Sequence, residues 1–326
     1  MADEAQETMV FYELLEDLES QFEDVEVEIM RQQAQLSKDL YEKRQKVVAN
    51  IPNFWPLVFE AAPQEVDQYI QPSDAAVVLS ALKSISVSRF ELENDPKGEP
   101  RSLSIRFEFN ENEYFEDTVL EKKFWYRHGL HGYAGLVSEP VDIKWKKGKD
   151  LTEGLLSLVK KCWDEEQADP SKAKPKEESD LTANQKELKE QVENVAMGGV
   201  SFFAWFGYIG QRISPEESKK ALEKEQEEKQ KREAGDKPEE PEEEEEEEDE
   251  DLIQSLEIFP DGDDVAYALA EDVWPHAIQY FKAAMEQEEM SDVDFEDDDD
   301  EDMEAPDLVE IDDHKFEMPP SKKQKK

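Results

Sequence analysis

The first fifty residues carry one stripe of apolar side chains in a polar background. Residues 5–50 contain neither Pro nor Gly. Apolar positions recur there in steps of three and four, the spacing that places side chains on one side of a helix. The stripe consists of Phe11, Leu15, Leu18, Phe22, Val25, Ile29, Leu36 and Leu40. We predict one helix over 5–51, ended by Pro52, because the residue before a proline disfavours the helical conformation.

A helix of this length has to bury its stripe against something equally long. At 1.5 Å per residue it extends roughly 65–70 Å, further than a small domain reaches. No other segment of the chain offers a helix of that length. We therefore predict a homodimer in which the stripe is the dimerisation interface. The alternative is a monomer whose helix folds back on its own domain.

After the helix, the apolar positions change to a period of two. A helix is predicted over 72–85, with Ser73 or Asp74 near its N-cap. The alternation then predicts an antiparallel sheet of about four strands, at 85–92, 101–109, 119–126 and 141–147. One face of this sheet is apolar, so later segments must cover it. The covering segments are predicted at 200–206 and 263–287, which makes the fold α+β.

Three charged segments are poor in apolar residues and are predicted to be unfolded: 164–190, 214–251 after a partly helical start, and 288–326. The predicted organisation begins with a dimerisation helix (5–51) and an α+β domain in two pieces (52–163 and 196–287) joined by a charged linker (164–195). An acidic insertion (214–251) lies within the second piece, and a disordered acidic tail with a basic end (288–326) follows.

The large negative charge of the chain limits which kinds of molecule it can bind. The chain has 85 acidic and 38 basic residues and a formal net charge of −47. Residues 216–326 alone contain 44 acidic against 13 basic residues. Such a field repels nucleic acids and anionic membranes and attracts polycations. We therefore expect weak or no direct DNA binding and no membrane association. The lysines of IKWKKGK (143–149) indicate a solvated strand edge, or alternatively a patch that touches DNA or an acidic partner.

No pattern of a catalytic site is recognisable, so we do not expect an enzyme, a cofactor or a metal site. Glycine-rich phosphate loops and the GxSxG elbow are missing from the sequence. His128 and His131 lie close together, but a loop pair of this kind is more often structural. Cys162 is the one cysteine, which excludes an intrachain disulfide and favours a reducing compartment. The basic end, Lys322, Lys323, Lys325 and Lys326, indicates either a nuclear import signal or a solubilising tail.

Five stretches, in this order, carry a resemblance to a known family: IPNFW (51–55), FNENEYFEDTVL (109–120), IKWKKGKDLT (143–152), SFFAWF (201–206) and EDVWPHAIQYF (271–281). The sequence resembles the nucleosome assembly protein family, in its SET or template-activating factor branch. The resemblance covers about residues 8 to 305. Residues 207–270 are longer than is usual in that branch, and they contain an acidic run at 237–251.

The resemblance implies a headset-shaped homodimer, in which antiparallel long helices carry an α+β domain at each end. It implies a nuclear histone chaperone, with exchange with the cytoplasm as a further expectation. Core histones would be shielded from DNA without ATP. The implied histone-facing residues are Glu111, Glu113, Glu116, Asp117, Asp263, Asp264, Glu271 and Asp272. An alternative function is that of an inhibitor or adaptor of a histone-modifying enzyme, such as an acetyltransferase, or of a protein phosphatase.

Overall fold

The computed structural model describes residues 2–130, 132–195, 199–233 and 252–296. The chain divides into two units, Met1–Met285 and Glu286–Lys326. The described part of the second unit is the end of the last helix. The architecture below therefore belongs to the first unit, which combines a long helix with an α+β domain.

The first element is one uninterrupted helix, α1 (Ala2–Val48), so the prediction of a long N-terminal helix is confirmed. Its 47 residues extend about 70 Å at 1.5 Å per residue. The C-terminal part of α1 is attached to the domain by polar contacts. Arg31 donates to the carbonyl of Gly98 (Nε–O 3.3 Å), and Gln45 donates to the hydroxyl of Ser84 (Nε2–Oγ 2.6 Å).

Arg44 makes the closest attachment between α1 and the domain. Its guanidinium carbon lies 4.8 Å from the ring centre of Tyr41 and 4.6 Å from that of Trp274. The two rings are themselves 3.9 Å apart. Nη1 of Arg44 donates to the carbonyls of Trp274 and Pro275. Because cation–π contacts and carbonyl acceptors act together on a partly buried charge, they hold the end of α1 in one position.

Three short helices lead to the sheet: α2 (Phe54–Glu60), α3 (Gln64–Asp67) and α4 (Pro72–Ala81). Asp74, in the first turn of α4, is fully buried. Its carboxylate accepts from the backbone N–H of Gln71 (3.0 Å) and of Phe202 (2.7 Å), and from the hydroxyl of Ser201 (2.6 Å). Burial raises the pKa of Asp74, although the three hydrogen bonds act in the opposite direction. This carboxylate fastens the distant segment at 201–202 to α4.

The sheet has four antiparallel strands in the order β1-β2-β3-β4: β1 (Leu82–Ser88), β2 (Leu103–Phe109), β3 (Val119–His128) and β4 (Ala134–Ser138). A helical turn, α5 (Glu91–Asn94), follows β1. The apolar face predicted for β2 is confirmed, since Leu103, Ile105, Phe107 and Phe109 are all buried. The α+β class and an antiparallel sheet of four strands are therefore confirmed.

The predicted fourth strand, 141–147, was wrong. Those residues contribute a single bridge, between Trp145 and Phe115, and the fourth strand is the preceding segment Ala134–Ser138. The backbone N–H of Val141 donates to the carbonyl of Phe206 (2.8 Å), and that of Lys146 donates to the carbonyl of Tyr114 (2.7 Å). The alternation at 141–147 therefore comes from an extended chain that packs between the 3₁₀ turn containing Phe206 and the loop containing Tyr114, where one face is buried without a neighbouring strand.

A turn of 3₁₀ helix, Phe202–Gly207, covers the apolar face of the sheet, as predicted for 200–206. Its aromatic rings surround Phe107 of β2, with centroid distances of 6.1 Å to Phe202, 6.0 Å to Trp205 and 5.8 Å to Phe206. The indole Nε1 of Trp205 donates to the carbonyl of Gly262 (2.8 Å). We call the turn Phe202–Gly207 the aromatic cover. The bond from Trp205 joins it to the last third of the described chain.

The segment 164–190, predicted to be unfolded, is largely helical. Helix α6 spans Leu155–Ala168 and α7 spans Ala183–Val195, with 3₁₀ turns at Pro170–Lys172 and Glu178–Asp180 between them. Composition was misleading here because the two large apolar residues of this segment, Leu181 and Leu188, both lie in the core. Glu166 is also buried, and its carboxylate faces Arg212 at 3.5 Å.

Four elements complete the described chain: α8 (Pro215–Glu233), α9 (Gly262–Tyr267), a π-helical turn (Ala268–Val273) and α10 (Ala277–Glu296). Helix α8 agrees with the helical start predicted for 214–251. Helix α10 extends nine residues into the predicted unfolded tail 288–326, so that part of the prediction was wrong. Residues 234–251 and 297–326, with both acidic runs and the basic end, lie outside the described residues.

Lys122 of β3 is fully buried. Its ammonium group donates to three backbone carbonyls, those of Glu139 (3.0 Å), Phe206 (3.1 Å) and Tyr208 (2.9 Å). Burial lowers the pKa of Lys122 to about 7, while the nearby carboxylate of Glu257 acts to raise it. The side chain thus joins β3 to the end of the aromatic cover and to the segment that follows β4.

Candidate acidic binding surface

Four of the implied histone-facing acids lie in the loop between β2 and β3. The amide oxygen of Asn112 shapes this loop by accepting from the backbone N–H of Tyr114 (2.9 Å) and Phe115 (3.0 Å). The Phe115 ring is buried in the core. Because an Asx turn and a buried aromatic fix the loop from both sides, its carboxylates project from a defined backbone.

The basic segment 143–149 is the immediate neighbour of this loop. Lys149 pairs with Glu113 (Nζ–Oε2 2.6 Å), and Lys144 pairs with Asp117 (Nζ–Oδ1 3.3 Å). The Lys144 N–H also donates to Asp117 (2.7 Å), and Lys146 donates to the carbonyl of Asn112 (2.6 Å). The hydrogen bond from Lys149 lowers the pKa of Glu113. Three of these lysines therefore hold the acidic loop, a role that neither sequence interpretation of the patch included.

The other four implied acids lie on α9 and the π-helical turn. Glu271 pairs with Arg89 (2.5 Å between Oε1 and Nη2). Asp272 accepts from the hydroxyl of Tyr280 (2.7 Å) and faces Nδ1 of His276 (2.9 Å). These two carboxylates therefore stabilise the turn, and Arg89 compensates the charge of Glu271 within the chain.

Three implied acids are exposed and have no hydrogen bond or ion pair from their side chains to any other described residue: Glu111, Glu116 and Asp264. Asp263 differs from them because it is half-buried, and burial raises its pKa, as do the charges of Asp264 and Asp261. The structure thus brings the eight acids together as two groups of four. Within the described residues, no side-chain hydrogen bond or ion pair joins one group to the other.

The described structure also has a cavity that the sequence did not indicate. Its volume is about 440 Å³. The residue before β4, the segment after the aromatic cover, the segment before α9 and the start of α9 line it: Tyr133, Tyr208, Gly210, Gln211, Arg212, Ile253, Gln254, Glu257, Pro260 and Asp263. The sequence signal was weak. Arg212 and Glu257 were hidden among 123 charged residues, and only the fold shows that both are buried.

The predicted dimerisation stripe is exposed along α1 in the single chain. Leu15, Leu18, Phe22, Val25, Ile29, Leu36 and Leu40 are all exposed, and Leu36 retains 79% of its accessible surface. The side chain of Phe11 lies outside the described part. The seven described side chains thus form a continuous apolar surface on the long helix.

Neither a metal site nor a membrane-spanning helix is found among the described residues. Among the described residues, no group of three or more His, Cys, Asp or Glu side chains is placed to hold a metal ion. Of the two histidines noted in the sequence, His128 and His131, the second lies outside the described residues. No helix in the described part is both long and apolar enough to span a membrane.

Known proteins resemble this chain in sequence and fold. A candidate nucleosome assembly protein of Schizosaccharomyces pombe is 39% identical over 150 residues, 43% of this chain and 59% of that protein. Protein SET of Drosophila melanogaster is 39% identical over 124 residues, 37% of this chain and 43% of SET. The alignments thus span about half the length of these relatives. The crystal structure of a Ccp1 mutant has a TM-score of 0.50 and 26% identity, covering 86% of this chain and 97% of that one.

The sequence model described as nucleosome assembly protein matches residues 16–284, well over half of the chain. The match includes the C-terminal part of α1, the sheet, the aromatic cover and the acidic turn after α9. Together with the likeness to Protein SET, it shows that this chain belongs to the nucleosome assembly protein family, in its SET-like branch.

Proposed function

We propose that this protein is a nuclear histone chaperone, which binds core histones on its acidic surface and keeps them from binding DNA non-specifically. The observation that carries the proposal is the set of exposed carboxylates without a partner, Glu111, Glu116 and Asp264, on a member of the nucleosome assembly protein family. Histones expose dense Lys and Arg surfaces. A second polyanion that competes with DNA for those surfaces needs no ATP, since the histone moves down a gradient of free energy.

We further propose that two copies pair through the stripe on α1. Exposed leucines, valines and phenylalanines on a single stripe carry a cost in water of about 25 cal/mol for each Å² of apolar surface. A second α1, antiparallel to the first, removes that surface from water along its whole length. Each dimer would then carry two copies of the acidic surface.

A fluorescence titration with core histones at increasing salt tests the electrostatic basis of binding. The Debye length falls from about 10 Å at 0.1 M to about 3 Å at 1 M salt. We expect affinity to fall by more than about tenfold over that range, since charge supplies most of the attraction. An affinity independent of salt would contradict the proposal.

Matched variants test which carboxylates bind. An open-acid variant carries Glu111→Gln, Glu116→Gln and Asp264→Asn. A paired-acid variant carries Glu113→Gln, Glu271→Gln and Asp272→Asn and loses the same charge. We expect the open-acid variant to bind histones at least about fivefold more weakly than the paired-acid variant, which corresponds to about 1 kcal/mol. Equal affinities would show that total charge alone matters, and thermal unfolding of both variants checks that they fold.

Deletion of 234–251 and of 297–326, separately and together, tests the acidic runs. The deletions stop at these positions because α8 packs on the domain, with Ala221 buried and the hydroxyl of Ser218 accepting from the N–H of His128 (3.0 Å). We expect each deletion to weaken histone binding. A protein that loses histone binding but still captures an acetyltransferase or a phosphatase would favour the adaptor function instead.

A further inference from the structure

The cavity beside α9 contains one carboxylate that lacks an opposite charge. The other two charged groups in its lining, Glu257 and Arg212, have opposite charges and interact with each other. Glu257 accepts from the backbone N–H groups of Ile209 (3.0 Å), Gly210 (3.0 Å) and Phe259 (3.3 Å). Arg212 donates to the carbonyl of Gly210 (2.8 Å) and faces Glu166.

Asp263 is that carboxylate. Among the described residues, no Lys, Arg or His forms an ion pair with it, and the charges of Asp261 and Asp264 both act to raise its pKa. It is half-buried, so water compensates its charge only in part, and burial together with the two neighbouring acids raises its pKa. A cation that enters the cavity would therefore stabilise a charge for which the fold supplies no counterion.

Tyrosine rings form the wall next to Asp263. Tyr133 and Tyr208 both line the cavity. The ring of Tyr208 packs so closely on Gly262 that a Cβ at that position would lie 2.3 Å from it, which leaves the ring no freedom to move toward Gly262. Tyr208 is buried, whereas Tyr133 is partly exposed. An aromatic face beside an unpaired carboxylate is a favourable environment for an organic cation.

We propose that this cavity receives the side chain of a lysine from the basic partner, with its ammonium group at Asp263 and its alkyl stem along Tyr133. The proposal rests on the proposed function, because it names the group of the histone that this part of the acidic surface recognises. The volume of about 440 Å³ lies in the range of pockets that enclose a ligand, roughly 300–1,000 Å³.

Lysine fits the carboxylate better than arginine does. Asp263 already accepts from its own backbone N–H and from that of Asp264. Few acceptor positions remain, so a planar guanidinium, which prefers two parallel bonds to a free carboxylate, is at a disadvantage. A compact ammonium group needs a single approach direction.

The sequence also directs cations toward the cavity. The acidic run 237–251 ends immediately before Leu252, and the next two residues, Ile253 and Gln254, are part of the lining. A long run of carboxylates joined to the rim raises the local concentration of a basic peptide. The cavity then supplies selectivity among the cations that the run attracts.

Two adjacent aspartates allow a matched test in the full-length protein. Asp263→Asn and Asp264→Asn remove the same charge one position apart, one in the cavity and one on the open surface. The probe is a short labelled peptide of alternating Gly and Lys, and its affinity is measured by fluorescence anisotropy at fixed salt. We expect Asp263→Asn to weaken binding at least fivefold more than Asp264→Asn does. Tyr133→Leu, which changes no charge, should also weaken binding severalfold.

Two further peptides identify the group that is bound. A peptide of alternating Gly and Arg, with the same charge, should bind the wild type more weakly than the Lys peptide and should respond equally to Asp263→Asn and Asp264→Asn. Equal effects of the two substitutions on the Lys peptide would overturn the lysine pocket, as would stronger binding of the Arg peptide.

Failure of the pocket and failure of the proposed function give different results. If only the pocket is wrong, core histones still bind in a salt-dependent manner to the wild type and to both aspartate variants. If the chaperone function is wrong, core histones do not bind the wild type, whatever the Lys peptide does. Thermal unfolding of Asp263→Asn and Tyr133→Leu distinguishes lost binding from lost folding.

Discussion

The buried carboxylate of Asp74 allows a quantitative test of how the aromatic cover is held in place. Replacing it with Ala leaves three donors without an acceptor: the backbone N–H groups of Gln71 and Phe202, and the hydroxyl of Ser201. Replacing it with Asn preserves the shape. The amide oxygen can then accept from both backbone N–H groups, and its NH₂ group can donate to Ser201.

The expected magnitude follows from the three orphaned groups. A buried polar group without a partner costs about 1–3 kcal/mol, so three cost roughly 3–9 kcal/mol. Removing the carboxylate also removes the penalty of burying it, which is the cause of its raised pKa and offsets part of this loss. We expect Asp74→Ala to reduce the free energy of unfolding by about 3–5 kcal/mol, a large part of the typical 5–15 kcal/mol. Asp74→Asn should cost about 1 kcal/mol.

Urea denaturation followed by tryptophan fluorescence measures both variants. Asp67 provides a matched control, since it is an exposed aspartate on the neighbouring helix α3. Asp67→Ala and Asp67→Asn should each change the unfolding free energy by less than about 0.5 kcal/mol. If Asp74→Ala were as stable as Asp67→Ala, the three hydrogen bonds would contribute nothing to stability. If Asp74→Asn lost as much as Asp74→Ala, the charge would matter and the hydrogen-bond geometry would not.

Three further predictions concern other parts of the molecule. Between pH 7 and 9 the unfolding free energy of the wild type should rise by about 2 kcal/mol relative to that of Lys122→Met. The reason is that Lys122 releases its proton near pH 7 in the folded state but keeps it in the unfolded chain. A difference that stays constant with pH would contradict this. Ile29→Glu with Leu36→Glu should give monomers in analytical ultracentrifugation, and a persisting dimer would exclude the stripe as its interface. Asp117→Asn should destabilise the protein by about 1–2 kcal/mol and Glu116→Gln by less than about 0.5 kcal/mol in thermal unfolding, because only Asp117 has a partner.

The long helix was predictable because its signal is repeated over many turns. The stripe from Leu15 to Leu40 keeps one period, and no Pro or Gly interrupts it. The strand Ala134–Ser138 was missed for the opposite reason. It has five residues, includes a Gly, and offers too few alternating positions to stand out from a loop. Segment 141–147 alternates clearly, yet its backbone bonds to a 3₁₀ turn and a loop and not to a strand of the sheet. An alternating sequence shows that one face of a segment is buried, but it does not show which element covers that face.

The candidate site was predictable as a set of acids and not as an arrangement. The resemblance identified Glu113 and Asp117 together with Glu111 and Glu116. Which of these remain free depends on lysines about thirty residues further along the chain, and that distance is closed only by the fold. The same holds for Asp263, whose position at a cavity depends on elements that come together from three regions of the chain.

The contact between Arg44 and Trp274 has a mechanical consequence. The end of α1 is joined to the α+β domain by the contact of the Tyr41 and Trp274 rings and by the carbonyl acceptors of Arg44. If two such helices pair, the separation and tilt of the two domains are fixed when the helices meet. The length of the paired helices then sets the distance between the two domains. That distance determines how large a basic partner must be to contact both domains at the same time.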